Sequence, residues 1–298
     1  MNPSFHQPQS VVLSQSIQSQ ARGWRWALGA TASSVVLLSP GLWTPLTAMP
    51  TPPTQTLAAE AKSAPAELTT VLAQMDDAAN QRNLKALMRF YSRDFSHSDG
   101  LDRTALQQVI KTFWQQTQTP RYTTELLSWK AEANGYRVET KTTITGTQSV
   151  GDRSMQLTAT LHSRQRWQNQ QITRQEILAE QSQLISGTEP PKVMVKMPET
   201  VGVGETYDFE VIVEEPLEGR ILLGTVTEEA ITAQSYFTKP TFSLEELTAG
   251  GLFKIGQAPD QPTQEWISAV LVQDSGITII SRRLNVVQRN TSAKPSQS

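Results

Sequence analysis

The segment FYSRDFSHSDGLDRTAL, residues 90–106, holds the densest group of side chains that could do acid–base chemistry. It contains one tyrosine, one histidine and three aspartates in seventeen positions. His97 could act as a general base, and a carboxylate from Asp94 or Asp99 could orient its ring. Asp and Ser before Gly are also ordinary turn residues, and Asp102 could cap a following helix. Two interpretations stay open: an active site, or a solvated connector between two helices.

Composition excludes several classes of site. The 298 residues include no cysteine, so thiol nucleophiles, disulfides and cysteine-based zinc sites are ruled out. The three histidines are dispersed, and the aspartates of residues 90–106 lack the alternating spacing of a calcium loop. We therefore expect no metal and no cofactor. The formal net charge is −2, and residues 188–288 hold fifteen acidic against seven basic side chains, which argues against nucleic acid as a partner.

The N-terminal region resembles an export signal. Arg22 and Arg25 precede an uncharged run, Trp26 to Leu46, whose apolar centre has the length of a signal-peptide core. Residues 1–48 are predicted to form a signal peptide or an N-terminal membrane anchor, and residues 49–65 a disordered linker rich in Pro, Thr and Ala. We expect an extracytoplasmic protein, either periplasmic or anchored, that meets the membrane only through this segment.

Elements able to position the acid–base residues follow from Ala66 onward. Apolar residues recur at helical spacing over 68–79, 84–91 and 106–114, with Asn83 as a candidate N-cap. From Pro120 the period becomes two, and Asn134-Gly135 and Asn169 mark hairpin turns. This order predicts an α+β unit over residues 66–187, in which three helices pack on a curved antiparallel sheet.

These pieces together resemble the nuclear transport factor 2-like superfamily, also described as SnoaL-like or cystatin-like cones. The resemblance rests on VLAQMDDAANQRNLKALMRFYSRDF, the loop SHSDG, the helix TALQQVIKTFW and the strands ending in RQRWQNQQITRQEILAEQSQLI. It implies a cone whose interior can hold a small ligand, and a sheet surface through which homodimers can form. The residues that this fold would turn toward the interior are Tyr91, Phe95, Trp114, Trp129 and Tyr136.

Residues 190–289 contain short β-like runs punctuated by Gly and Pro, and Asp274-Ser275-Gly276 sets a final hairpin. They predict a separate all-β, sandwich-like domain of immunoglobulin-like type. The boundary is placed at Pro190-Pro191, because two prolines cannot continue a sheet ladder. Residues 290–298 are predicted to be a disordered tail.

Function is less constrained than architecture. The first hypothesis is a binding or interaction protein that uses the cone cavity for a small ligand or the sheet for a protein partner. The alternative is a small-molecule isomerase or dehydratase whose acid–base residues, with His97, Asp94 and Asp99 as candidates, lie in that cavity. The feature that separates the two is whether such residues face one cavity within hydrogen-bond reach of each other.

Overall fold

The structure, a computed structural model, describes residues 64–150, 153–238, 242–248 and 250–288. The predicted signal peptide or anchor, nearly all of the predicted linker and the predicted tail lie outside these residues. The described part contains three α-helices: α1 (Ala66–Asn80), α2 (Leu84–Leu87) and α3 (Arg103–Gln116). Short 3-10 turns cover Met88–Phe90 and Ser235–Phe237. None of the described helices is both long enough and apolar enough to cross a bilayer.

Strands dominate the described chain. In order they are β1 (Tyr91–His97), β2 (Thr117–Glu132), β3 (Gly135–Val150), β4 (Arg153–Gln168), β5 (Gln171–Gly187), β6 (Val193–Lys196), β7 (Thr200–Gly202), β8 (Thr206–Val213), β9 (Leu223–Ala230), β10 (Glu245–Glu246), β11 (Gly251–Gln257), β12 (Thr263–Gln273) and β13 (Gly276–Val287).

One large sheet runs through both halves of the chain. Its main path is β10-β9-β12-β13-β5-β4-β3-β2, with β1 paired in parallel to β5 and β7 paired in parallel to β13. A second sheet has only three strands, in the order β11-β8-β6. The link between the halves is the antiparallel pairing of β5 with β13, from Gly187–Gly276 to Gln181–Arg282.

The predicted fold class is therefore wrong. We expected a three-helix cone followed by a separate all-β sandwich, but β9, β10, β12 and β13 belong to the same sheet as β2–β5. The helical layer is also smaller than predicted, since α2 is a single turn and the chain leaves it as strand β1. Pairing between strands far apart in sequence produced this outcome, and local periodicity carries no information about it.

The strands β12 and β13 present their two faces to two different hydrophobic cores. Trp266, Val270, Val272, Ile277 and Ile279 join a core that also contains the helices and β2–β5. The alternate residues Ile267, Ala269, Leu271, Ile280 and Leu284 join a second core with β8. Strands buried on both faces read as continuous apolar runs rather than as an alternation.

The Pro190-Pro191 break does interrupt the strand ladder, yet the chain turns back onto the same sheet. Gly187 has a φ of +110°, and a Cβ there would lie 2.2 Å from the Ser275 carbonyl oxygen. Ser275 Oγ donates to the Glu189 carbonyl at 2.8 Å, and Thr278 Oγ1 donates to the Pro191 carbonyl at 2.6 Å. The end of β5 is thus fastened to the β12–β13 hairpin.

We expect the two halves to unfold together, because removing either one exposes the core residues that the halves share and breaks the β5–β13 hydrogen bonds. Methyl NMR signals of Ile144 and Ile280, which lie in the first and second core, should lose intensity at the same urea concentration. Two transitions well separated in urea would instead show independent domains.

Candidate functional site

The turn after β1 carries Asp99 into the interior. The Gly100 amide donates to the His97 carbonyl at 3.0 Å and the Ser98 amide donates to the Gln175 carbonyl on β5 at 2.9 Å. Gly100 has a φ of +81°, a conformation that favours glycine. The Asp99 side chain is fully buried. The interpretation of residues 90–106 as a solvated connector is therefore wrong at this position.

Arg103 explains why the helix ends before β1. Its guanidinium donates to the carbonyl of Met88 at 2.8 Å and to that of Tyr91 at 3.1 Å. Met88 begins the 3-10 turn and Tyr91 begins β1, so both carbonyls gain partners without a further helical turn. The predicted Asp102 cap is confirmed, since its carboxylate accepts from the Ala105 amide at 2.7 Å.

A buried guanidinium joins two carboxylates from distant parts of the chain, and we call Asp99, Glu180 and Arg283 the Arg283 cluster. Arg283 Nη1 and Nη2 donate to Asp99 at 3.1 and 2.8 Å, which is the bidentate geometry that guanidinium groups favour. Arg283 Nε donates to Glu180 Oε2 at 2.6 Å. The Tyr236 hydroxyl donates to Asp99 Oδ2, and Ser98 Oγ donates to Asp99 Oδ1 at 2.8 Å.

Burial raises the pKa of both carboxyl groups in the cluster, but the net pKa shifts of Asp99 and Glu180 have opposite directions. Burial opposes ionisation of Asp99, but the charge and hydrogen bonds of Arg283 outweigh it and hold the pKa at about 2. For Glu180, burial prevails over Arg283 and raises the pKa of the carboxyl, with a further rise from Asp99. Asp99 and Arg283 thus form the ion pair, and Glu180 favours its neutral acid form more than an exposed glutamate does.

His97 is buried beside this cluster and is held neutral. Burial lowers its pKa to about 4, against an upward effect of the Asp99 carboxylate, whose Oδ2 is 3.6 Å from Nδ1. The Asp99 amide donates to His97 Nδ1 at 3.2 Å. Because Nδ1 accepts that hydrogen bond, the proton of the neutral ring is assigned to Nε2. His97 is a hydrogen-bond donor through Nε2 and a weak base.

An internal space of about 180 Å³, the inner cavity, lies between the helices and β2–β5. Its wall is mainly aliphatic and aromatic. The polar side chains in the wall belong in part to the Arg283 cluster and its neighbours and in part to β4 and β5. The apolar lining includes Leu72, Leu87, Leu101, Val109, Phe113 and Ile144, and the polar lining includes His97, Ser163, Gln165, Gln175, Glu180 and Tyr236. A second polar group, formed by Asp76 of α1, Thr124 of β2 and Thr142 of β3, also lines the cavity, and Thr124 donates to the Asp76 carboxylate.

Of the residues predicted from sequence, Tyr91 and His97 line the inner cavity. Burial raises the pKa of Tyr91 to about 12, so its hydroxyl stays protonated. Phe95 and Trp114 lie one layer behind the wall. The Phe95 ring meets Tyr91 edge-on at 5.1 Å, and Trp114 Nε1 donates at 2.9 Å to the hydroxyl of Tyr122, which does line the cavity.

The other predicted site residues are placed elsewhere. Trp129 and Tyr136 pack against each other with ring centroids 5.9 Å apart, and the Tyr136 hydroxyl donates to Glu67 at 2.5 Å. These two are outside the lining of the inner cavity, because they lie at the first turn of α1, which contains Glu67. Asp94 is exposed on β1. The carboxylate beside the His97 ring is that of Asp99.

Sequence reasoning missed Glu180, Arg283 and Tyr236. One signal for Arg283 exists, because an arginine within the apolar run of GITIISRRLNVV is seldom buried unless a carboxylate pairs with it. Tyr236 reaches Asp99 from a 3-10 turn 137 residues further along the chain, and no local pattern indicates that contact.

Within the described ranges no three His, Asp or Glu side chains are grouped so as to hold a metal ion. Residues 188–287 match the family model described as "Domain of unknown function (DUF8623)". That match covers about a third of the chain and includes Arg283 and Tyr236. None of the curated proteins matches the sequence.

We expect Asp99→Asn to destabilise the protein by about 3–5 kcal/mol, because it leaves Arg283 buried without its ion-pair partner. Asp94→Asn, an equal change on the exposed face of the same segment, should stay within about 0.5 kcal/mol. Urea unfolding midpoints of the two variants measure the difference. Equal stabilities would mean that the Arg283 cluster does not hold the fold.

A second prediction concerns pH and His97. Its pKa falls from 6.5 to about 4 on folding, so its contribution to stability is complete above pH 6.5 and is lost as pH falls toward 4. Glu180 acts in the opposite sense, since its raised pKa removes stability as pH rises above 4.5. Because His97→Gln lacks the titrating imidazole, its free energy of unfolding should fall by about 3 kcal/mol less than that of the parent as pH falls from 6.5 to 4.

Unfolding free energies measured across this pH range for the parent, His97→Gln and Glu180→Gln check the assignment. The two variants should change the slope in opposite directions. A His97→Gln protein with the parental slope would show that the imidazole is not held neutral by burial.

Proposed function

We propose that the protein is a binding protein whose inner cavity takes a small, mainly apolar molecule. The observation that carries the proposal is a mainly apolar space whose wall holds a limited number of polar side chains, which is the usual form of a ligand site. The space of about 180 Å³ exceeds the roughly 150 Å³ cavity that accepts benzene in an engineered protein. A ligand the size of a substituted aromatic ring or a short branched chain fits this volume.

The polar groups beside the Arg283 cluster favour one kind of ligand. His97 offers the Nε2 hydrogen as a donor, because its Nδ1 already accepts from the Asp99 amide. Gln165 Oε1 accepts from Trp167 Nε1 at 2.9 Å, so its side-chain amide is left to donate. These donors favour a ligand with one acceptor oxygen or nitrogen, and the mainly apolar wall favours an uncharged body.

Acid–base catalysis is the second candidate, because His97, Glu180 and Tyr236 share the wall of one cavity. The contacts of these groups favour binding over turnover. The Nδ1 lone pair of His97 is occupied, the Tyr236 hydroxyl donates to Asp99, and Glu180 is bound to Arg283. A group committed to an internal partner must break that bond before it can move a substrate proton.

Titration with indole or toluene tests the binding proposal. We expect shifts in the methyl NMR signals of Ile110, Ile144 and Ile177, which line the inner cavity. The signal of Ile255, which is 74% exposed on β11, serves as the internal control and should not move.

A cavity-filling variant sharpens this test. Val109→Phe should abolish the shifts, because the larger ring occupies the inner cavity, whereas Val287→Phe at an exposed position should bind like the parent. Binding that survives Val109→Phe would place the ligand elsewhere. Exchange of the α-protons of a small bound ketone with deuterated water, lost in His97→Gln, would favour the catalytic candidate instead.

A further inference from the structure

The opposite face of the sheet carries a second, polar cavity, which we call the outer cavity. Two cross-strand rows build its floor: Lys141 stands opposite His162, and Thr160 stands in line with Gln181 and Arg282. Residues in one cross-strand row point to the same face, so these side chains rise together from β3, β4, β5 and β13.

The outer cavity has a volume of about 280 Å³. Ala179 is the β5 residue opposite His162, and its short side chain leaves room at the middle of the floor. The segment from Val195 to Glu199 covers the floor from above. Glu180 of the Arg283 cluster lines both this space and the inner cavity, so the cluster lies between the two.

Among the residues that the structure describes, the outer cavity has more lining cations without an ion-pair partner than lining carboxylates without one. Lys141 and Arg282 make no ion pair with any residue of the described ranges, while the second lining carboxylate, Glu180, is bound to Arg283. Glu199 is the acidic residue that acts on Arg282, and burial lowers the pKa of Arg282 against that effect. Near His162, the Glu139 carboxylate lies 3.6 Å from Nε2 and is itself bound to Arg164.

Two polar atoms on this floor lack hydrogen bonds within the described part of the chain. Thr160 Oγ1 is one, in a residue only 7% exposed, and His162 Nε2 is the other. Buried hydroxyl groups are nearly always hydrogen-bonded in folded proteins, so an unpartnered one that lines a cavity indicates a ligand.

We propose that the outer cavity binds a small oxyanion, a carboxylate or a phosphate group. Arg282 presents the planar fork that matches two oxygens, Lys141 adds a compact charge, and the Thr160 hydroxyl donates a further hydrogen bond. Glu199 opposes the bound charge and keeps the affinity moderate.

Calorimetric titrations with inorganic phosphate and with succinate, at constant ionic strength, test the proposal on the intact protein. Binding of at least one of them is expected, and the preferred anion distinguishes a phosphate site from a carboxylate site. Arg282→Gln should weaken it by about tenfold or more, since hydrogen bonds to charged groups are strong. Glu199→Gln should tighten it, and Thr160→Val should weaken it while leaving the melting temperature close to that of the parent.

Arg137→Gln is the matched control, because Arg137 lies on the same face of β3 but outside the outer cavity, where it pairs with Glu132. It removes the same charge and should leave affinity unchanged. If Arg137→Gln weakens binding as much as Arg282→Gln, the anion binds to general surface charge and the site does not exist. Failure of both anions to bind the parent also overturns the proposal.

Discussion

The placement of Arg283 inside the protein is the constraint on which the rest of the structure depends. A guanidinium cannot lose its proton, so once it is buried the fold must supply an anion beside it. Asp99 comes to it from the turn after β1 and Glu180 from β5, while Tyr236 donates to Asp99 from the second half. Separating the halves would leave a charge in an apolar core, which is why the continuous sheet and the ion cluster belong together.

The same cluster shapes the inner cavity. Its hydrogen bonds engage the groups that could otherwise transfer protons, and they hold His97 as a neutral donor at the polar end of an apolar space. In a binding protein of the proposed kind, the acid–base residues noticed in the sequence would have a positioning role, since they fix one end of the cavity. The same side chains stabilise the fold and form part of the cavity wall, so a substitution in the Arg283 cluster would affect both.

Local features were predictable from the sequence, and long-range ones were not. The caps at Asn83 and Asp102 and the hairpin turns at Asn134-Gly135 and Asp274–Gly276 depend on residues a few positions apart, and they are present. The burial of Asp99 depends on an arginine 184 residues away. Ser163 and Gln165 line the inner cavity although polar side chains are usually exposed, because they share the inward face of β4 with Leu157 and Trp167.

Arg282 and Arg283 are neighbours on β13 that face opposite sides of the sheet, and this has a consequence for folding fidelity. The strand is apolar on both faces, so a slip of one residue would bury comparable aliphatic area and would bring Arg282 to the place of Arg283. The tight approach of Gly276 to Ser186, where a Cβ would lie 2.6 Å from the carbonyl oxygen, penalises such a slip. Gly276 therefore helps to fix the register of β13 against β5, and with it which of the two arginines is buried.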